Sequence, residues 1–271
     1  MTALTVPPGT TTKAAPLRRT APPIPTTRLV KVELRKMFNT RSGFWMLIGI
    51  GVLSVVATGA VIVFAPDSAV TYESFATAIG LPMSVILPMI AILAVTSEWS
   101  QRSGLTTFTL VPSRGRVIGA KAIATVVVGV GAMAVAFAVG AVGNVAGSAL
   151  AGVDTVWDVS LSTAPQIVLG NLVGMAIGFT LGTVLRASAA AIVGYFVVSL
   201  VLPGVLALLA SVRDWFLDLQ PWIDWNYTQV QLFAGATNTA EEWAMLGSTT
   251  LIWIVIPLAV GLLSLRRSEV A

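Results

Sequence analysis

The chain has 271 residues, 56% hydrophobic and 10% charged, and a mean hydropathy of +0.88. A soluble domain carries about 25% charged residues, so this chain cannot cover its surface in water and its solvent is a bilayer. It has no cysteine and no histidine, which excludes disulfides, thiolate metal sites and Ser-His or Cys-His dyads. The net charge of +4 is weak ground for a nucleic-acid partner, and its distribution along the chain explains it better.

Residues 1–27 hold Pro7, Pro8, Pro16, Pro22, Pro23 and Pro25 among many threonines. That composition predicts a disordered cytoplasmic tail without the uninterrupted apolar core of a signal peptide. From 28 to 42 the pattern changes. Val30, Leu34, Met37 and Phe38 fall on one stripe of a 3.6-residue helix, with Arg28, Lys31, Arg35 and Lys36 opposite. A basic amphipathic helix beside a span is expected to lie in the headgroup layer.

Six apolar runs follow, at 44–64, 77–96, 118–142, 165–185, 189–210 and 246–265, each near the 20 residues that a span requires. Lys121 is the one acidic or basic residue inside them, close enough to the end of its run to snorkel. Placing both termini in the cytoplasm puts fifteen of the sixteen bases inside, Arg213 being the exception. The same orientation puts nine of the twelve acids outside, as the positive-inside rule requires. Trp45, Trp99, Trp157, Trp215 and Trp243 lie at or near predicted span ends, where an indole ring suits the interface. The segment 211–245 adds Trp222, Trp225 and Tyr227 around Pro221. So many aromatics predict short helices dipping back into the outer leaflet, with protein satisfying their backbone.

Within the fourth run, Gly170, Gly174, Gly178 and Gly182 form a groove without side chains, and static packing inside one subunit is favoured over a sliding or dimer contact. Pro82, Pro88, Pro203 and Pro257 interrupt the second, fifth and sixth runs and predict kinks. No G-x-S-x-G elbow and no phosphate loop is present, since the segment from Gly115 to Lys121 lacks the P-loop spacing. Asp154 with Asp158 and Asp214 with Asp218 read as solvated loop charges. A proton-coupled carrier keeps ionisable groups at membrane depth, and these runs keep none at mid-depth. Energy for any transport must then come from another protein. The polar stretch from Thr96 to Lys121, with Glu98, Arg102, Arg114 and Arg116 around Leu105, Phe108, Leu110 and Val111, is where that protein could attach.

The stretch LVKVELRKMFNTRSGFWML, followed by SEWSQRSGLTTFTLVPSRGRVIGAK, resembles an ABC-2 type permease, the membrane subunit of bacterial ABC exporters. Glu98, Gly104, Leu105, Thr106, Leu110, Pro112, Arg114, Arg116 and Lys121 match the family's pattern in order, with Leu105 separating Gly104 from Thr106. The resemblance implies an all-α integral membrane protein: a single transmembrane domain over 28–271 with six helices. It makes 28–42 an elbow helix carrying Val30, Leu34, Met37 and Phe38. It makes 98–112 a coupling helix between spans 2 and 3, and it puts re-entrant helices between spans 5 and 6. Glu98, Arg102, Leu105, Thr106, Phe108, Leu110, Arg114 and Arg116 would then dock a cytoplasmic ATPase. Two such ATPase subunits and a second permease subunit, identical or not, would complete the complex. ATP and Mg would be bound by the partner, with no cofactor, metal or catalytic residue in this chain and no nucleic acid. The substrate would be a hydrophobic or amphipathic drug, antibiotic, lipid or peptide leaving across the bacterial plasma membrane. Other readings are an ATP-independent secondary carrier and a non-transporting immunity or sensor subunit.

Overall fold

A computed structural model describes residues 24–100 and 114–267. Among them are nine helices, a single 3-10 turn (Asp67–Ala69) and no strand, the one β-type pairing being an isolated parallel bridge between Thr71 and Val156. A short amphipathic helix, α1 (Thr26–Asn39), precedes the long ones. The long helices are α2 (Arg41–Phe64), α3 (Tyr72–Ser100), α4 (Arg114–Ala151), α5 (Thr163–Leu185), α6 (Ser188–Val212) and α9 (Ala240–Leu265). Two short ones, α7 (Asp214–Ile223) and α8 (Trp225–Phe233), lie between α6 and α9. Six helices are long and apolar enough to cross a membrane, in the order the hydropathy predicts.

Their boundaries differ from the predicted ones in instructive ways. Helix α4 runs to Ala151 rather than to 142 and holds 38 residues, about 57 Å at 1.5 Å per residue, against a hydrocarbon core of about 30 Å. In the extra turns, GNVAGSALA, Gly143 and Gly147 let α4 lie close to Thr58 of α2 and Phe75 of α3. Helix α9 starts at Ala240, six residues before the apolar run. Thr239 accepts from the Glu242 N–H (3.2 Å) while Glu242 Oε2 accepts from the Thr239 N–H (2.7 Å), a capping box that fixes the first turn.

The core sits between α3 and α5, the two most buried spans, while α2, α6 and α9 are mostly uncovered within the chain. The glycine groove of α5 explains the closeness of that contact. A Cβ at Gly178 would lie 2.7 Å from the Pro88 carbonyl oxygen, and one at Gly182 would lie 3.3 Å from that of Ile92. Further along, a Cβ at Gly174 would meet Gln229 Nε2 at 2.9 Å and one at Gly170 the Phe233 ring at 2.7 Å. One face of α5 thus receives the backbone of α3 at one end and the side chains of α8 at the other. Gln229 Nε2 also donates to the Gly170 carbonyl (2.8 Å), which serves that groove's bare backbone.

The prolines have local consequences. Pro88 has no N–H to offer the carbonyl four residues earlier, which is that of Ser84, and Tyr195 Oη of α6 donates to it instead (3.2 Å). In α6 the segment Val197–Val201 is π-helical and ends two residues before Pro203; in α9 the segment Leu251–Val255 is π-helical and ends two residues before Pro257. A proline ring crowds the i−4 carbonyl, and a wider turn ahead of it relieves the clash. Helix α7 is tied back onto α9 by Trp253 Nε1, donating to the Ile223 carbonyl (2.7 Å), and by Ser248 Oγ, donating to that of Trp222 (2.7 Å), while α8 meets α9 through the Thr228 and Thr249 hydroxyls (3.2 Å). Asp224 caps α8 through the Asn226 N–H (3.0 Å).

Candidate functional site

The bundle has two chemically different ends. At one, which carries α1, the starts of α4 and α6 and the ends of α3 and α5, lie the basic residues of α1, α4 and the α5–α6 corner; at the other lie the acids of the α2–α3 and α4–α5 connections, with Arg213. The basic end holds a cluster built by α1. This helix breaks at Thr40, whose Oγ1 accepts from the Gly43 N–H (3.3 Å) and caps α2. Gly43 is required there, because a Cβ would sit 2.0 Å from the Met37 carbonyl oxygen. The tight corner turns α1 back across the bundle, where it packs on α4 and α2.

The face that α1 buries carries Glu33 and Met37, with Val30 and Leu34 half-buried beside them. Glu33 Oε2 accepts from Lys121 Nζ at 2.6 Å and Oε1 from Lys36 Nζ at 2.8 Å. Lys121 is 1% exposed and Glu33 6%, so the pair is withdrawn from water. Two such charges are costly to desolvate and persist when geometry and further bonds compensate. Removing one partner of such a pair costs about 3–5 kcal/mol, which makes the contact a firm tie between α1 and α4. Arg116 Nη2 donates to the Ile24 carbonyl and holds the residues just before α1 to the first turn of α4. A cavity of about 100 Å³ opens beside the pair, bordered by Thr40, Met46, Ile90 and Ser97. On the far side of α3, Thr96 and Ser188 share a hydrogen bond (2.7 Å), joining α3 to the start of α6. Arg186, with a left-handed φ of 54°, closes α5 and donates to Ser264 Oγ of α9 (2.8 Å).

Several sequence expectations change here. Lys121 does not snorkel to the surface: it is buried against Glu33. Phe38 is 53% exposed within the chain, and the face of α1 packed on the bundle carries Glu33 beside Met37. A polar residue on the packed face is invisible to an apolar-stripe search, and its partner is 88 residues away. The i, i+4 relation of Glu33 to the buried Met37 was the available signal. Of the docking residues, Arg102, Leu105, Thr106, Phe108 and Leu110 lie outside the described residues. Glu98 falls in the last turn of α3 and Arg114 opens α4, and only Arg116 has a described contact. The groove glycines meet α3 and α8 of the same chain. Among the described residues no group of three acidic side chains could hold a metal ion.

A multi-pass α-helical membrane protein with a basic amphipathic helix folded onto its third span is the class these features define. The comparison with protein families is specific: residues 35–270 match the family described as ABC-2 family transporter protein, so the chain belongs to that family. Among curated proteins none matches the chain.

Proposed function

We propose that the chain is the permease subunit of an ATP-driven exporter, moving a hydrophobic or amphipathic substrate outward with energy from a separate ATPase. Family membership supports a transporter membrane subunit. The single observation that carries the rest is the Glu33–Lys121 pair. Lys121 lies two turns into α4, just after the segment 101–113, and Glu33 lies on α1, which leads through the Thr40 corner into α2. A pull on the segment between α3 and α4 would reach α1, and through it α2, by this pair together with the Arg116–Ile24 bond and the packing of α1 on α4.

In this reading 98–112 is the coupling helix and α1 the elbow helix. Phe108 and Leu110 seat in the ATPase, Arg114 forms part of the polar rim, and α7 and α8 are re-entrant. Two permease subunits and two ATPase subunits make the complex, in a bacterial plasma membrane with both termini cytoplasmic. ATP and Mg belong to the partner.

The test is purification of the tagged full chain from its host in gentle detergent, with an ATPase assay on the product. A stoichiometric soluble subunit with ATPase activity, released by Arg114→Glu, is expected. Phe108→Asp is expected to abolish ATP-dependent export with membrane insertion intact. Unchanged export by that variant would sink the docking assignment.

A further inference from the structure

At the acidic end a cavity of about 300 Å³ opens between α3 and α5. Glu73 and Asp158 stand at its rim, Thr77, Ser84 and Asn171 line it, and Leu81, Ile167 and Phe233 supply apolar wall. The placement follows from helical spacing. Thr163, Ile167 and Asn171 recur every fourth residue along α5, and Glu73, Thr77 and Leu81 do so along α3.

Two observations separate this cavity from a packing defect. The first is charge. Asp158 Oδ1 accepts from the Glu73 N–H (2.7 Å) and so serves the first turn of α3, which draws the two carboxyl-bearing residues together. Among the described residues neither carboxylate is paired with a base. The second is Asn171, which is 3% exposed. Its Nδ2 donates to the Ile167 carbonyl (3.0 Å), while its Oδ1 has no partner among the described groups. A lone acceptor at that depth is costly, and a positive charge in the cavity offsets its dipole by ion–dipole attraction even where the cation has no N–H to donate. Acids at the rim, an unmet acceptor in the wall and an apolar lining together describe a counterpart with a positive head and an apolar body.

We propose that this cavity binds a hydrophobic organic cation, its charge held by Glu73 and Asp158 and its apolar body against Leu81, Ile167 and Phe233. The site thereby names the substrate class for the exporter of the preceding section, and its meaning as a substrate site rests on that reading. Recognition is by charge sign on an apolar framework, so an anion of the same shape is rejected.

The experiment uses the full chain, with whatever subunits co-purify, in lipid nanodiscs. Equilibrium binding of tetraphenylphosphonium is compared with that of tetraphenylborate, two ions of matched shape and opposite charge, each corrected for empty discs. Saturable binding of the cation alone is expected. Glu73→Gln with Asp158→Asn is expected to weaken it at least tenfold; the Asp158→Asn change keeps a side-chain oxygen for the Glu73 N–H, so the helix start survives. Leu81→Trp, which fills the cavity from an exposed position on α3, is expected to block it. Equal binding of the two ions, or cation binding untouched by both variants, overturns the proposal. ATP-dependent transport without cation binding would remove this site and leave the exporter reading standing. Cation binding without an ATPase partner or ATP-dependent movement would do the reverse.

Discussion

The Pro88 carbonyl oxygen of α3 faces Gly178 of α5 so closely that a Cβ added there would lie 2.7 Å away. Backbone meets backbone at this point, with no flexible side chain to give way. Gly178→Ala is expected to cost about 1–3 kcal/mol, as overpacking of a closed contact does. Gly131→Ala, on α4 where nothing lies within 4 Å, is the control. It should be neutral or slightly stabilising, since alanine gains about 1 kcal/mol over glycine in a helix. Thermal unfolding in detergent reads both, and equal midpoints would refute the close-contact account.

Tyr195 and Pro88 are coupled through Ser84. Tyr195→Phe removes the donor that serves the carbonyl freed by the proline. The expected loss is about 0.6 kcal/mol, the average for hydrogen bonds between membrane helices, and at most about 1.7 kcal/mol. Pro88→Ala restores an N–H for that carbonyl, so the Tyr195→Phe loss should shrink or vanish in the Pro88→Ala background. Additive effects would mean that the hydroxyl serves something else.

The tie between α1 and α4 is measurable as a double-mutant cycle. With Glu33→Gln and Lys121→Met, the pairwise coupling is expected at about 1–3 kcal/mol. Each single change should be worse than the apolar double replacement Glu33→Leu with Lys121→Met, because burial then no longer includes a charge. In the exporter reading the single variants also lower transport per ATP hydrolysed. Single variants as stable as the parent would contradict the burial of the pair.

Trp253 holds α7 to α9 through the Ile223 carbonyl. Trp253→Phe keeps the ring volume close and deletes the donor. Amide hydrogen exchange in 214–233 is expected to accelerate, with exchange in α3 and α5 unchanged. Protection equal to the parent would show that the indole N–H does not secure this segment.

The six spans were legible because hydropathy over about twenty residues is a bulk property, insensitive to which neighbour each helix finds. Their true ends were less so. Glu241 and Glu242 hide the first turn of α9 from a hydropathy search, although Thr239 followed three residues later by Glu242 is a capping signal in plain view. Phe38 lies at the edge of the α1 stripe, about 80° from Val30 at 3.6 residues per turn, and the partner helix covers the Glu33 side. What could not be read was pairing across sequence. Nothing near Lys121 announces Glu33, nothing near Ser84 announces Tyr195, and the cavity rim combines the first turn of α3 with the α4–α5 connection. The glycine groove was readable as a groove, and only the fold says that Pro88, Ile92, Gln229 and Phe233 occupy it.

The 88 residues between Glu33 and Lys121 also set a clock. At a synthesis rate of about 5–20 residues per second, roughly 4–18 seconds pass after the ribosome adds Glu33 before Lys121 exists. Throughout that interval the Glu33 carboxylate lacks its buried partner on α4, and Lys36 of its own helix is the base within reach. A contact made by one of the first helices translated thus cannot form before the start of the third span exists.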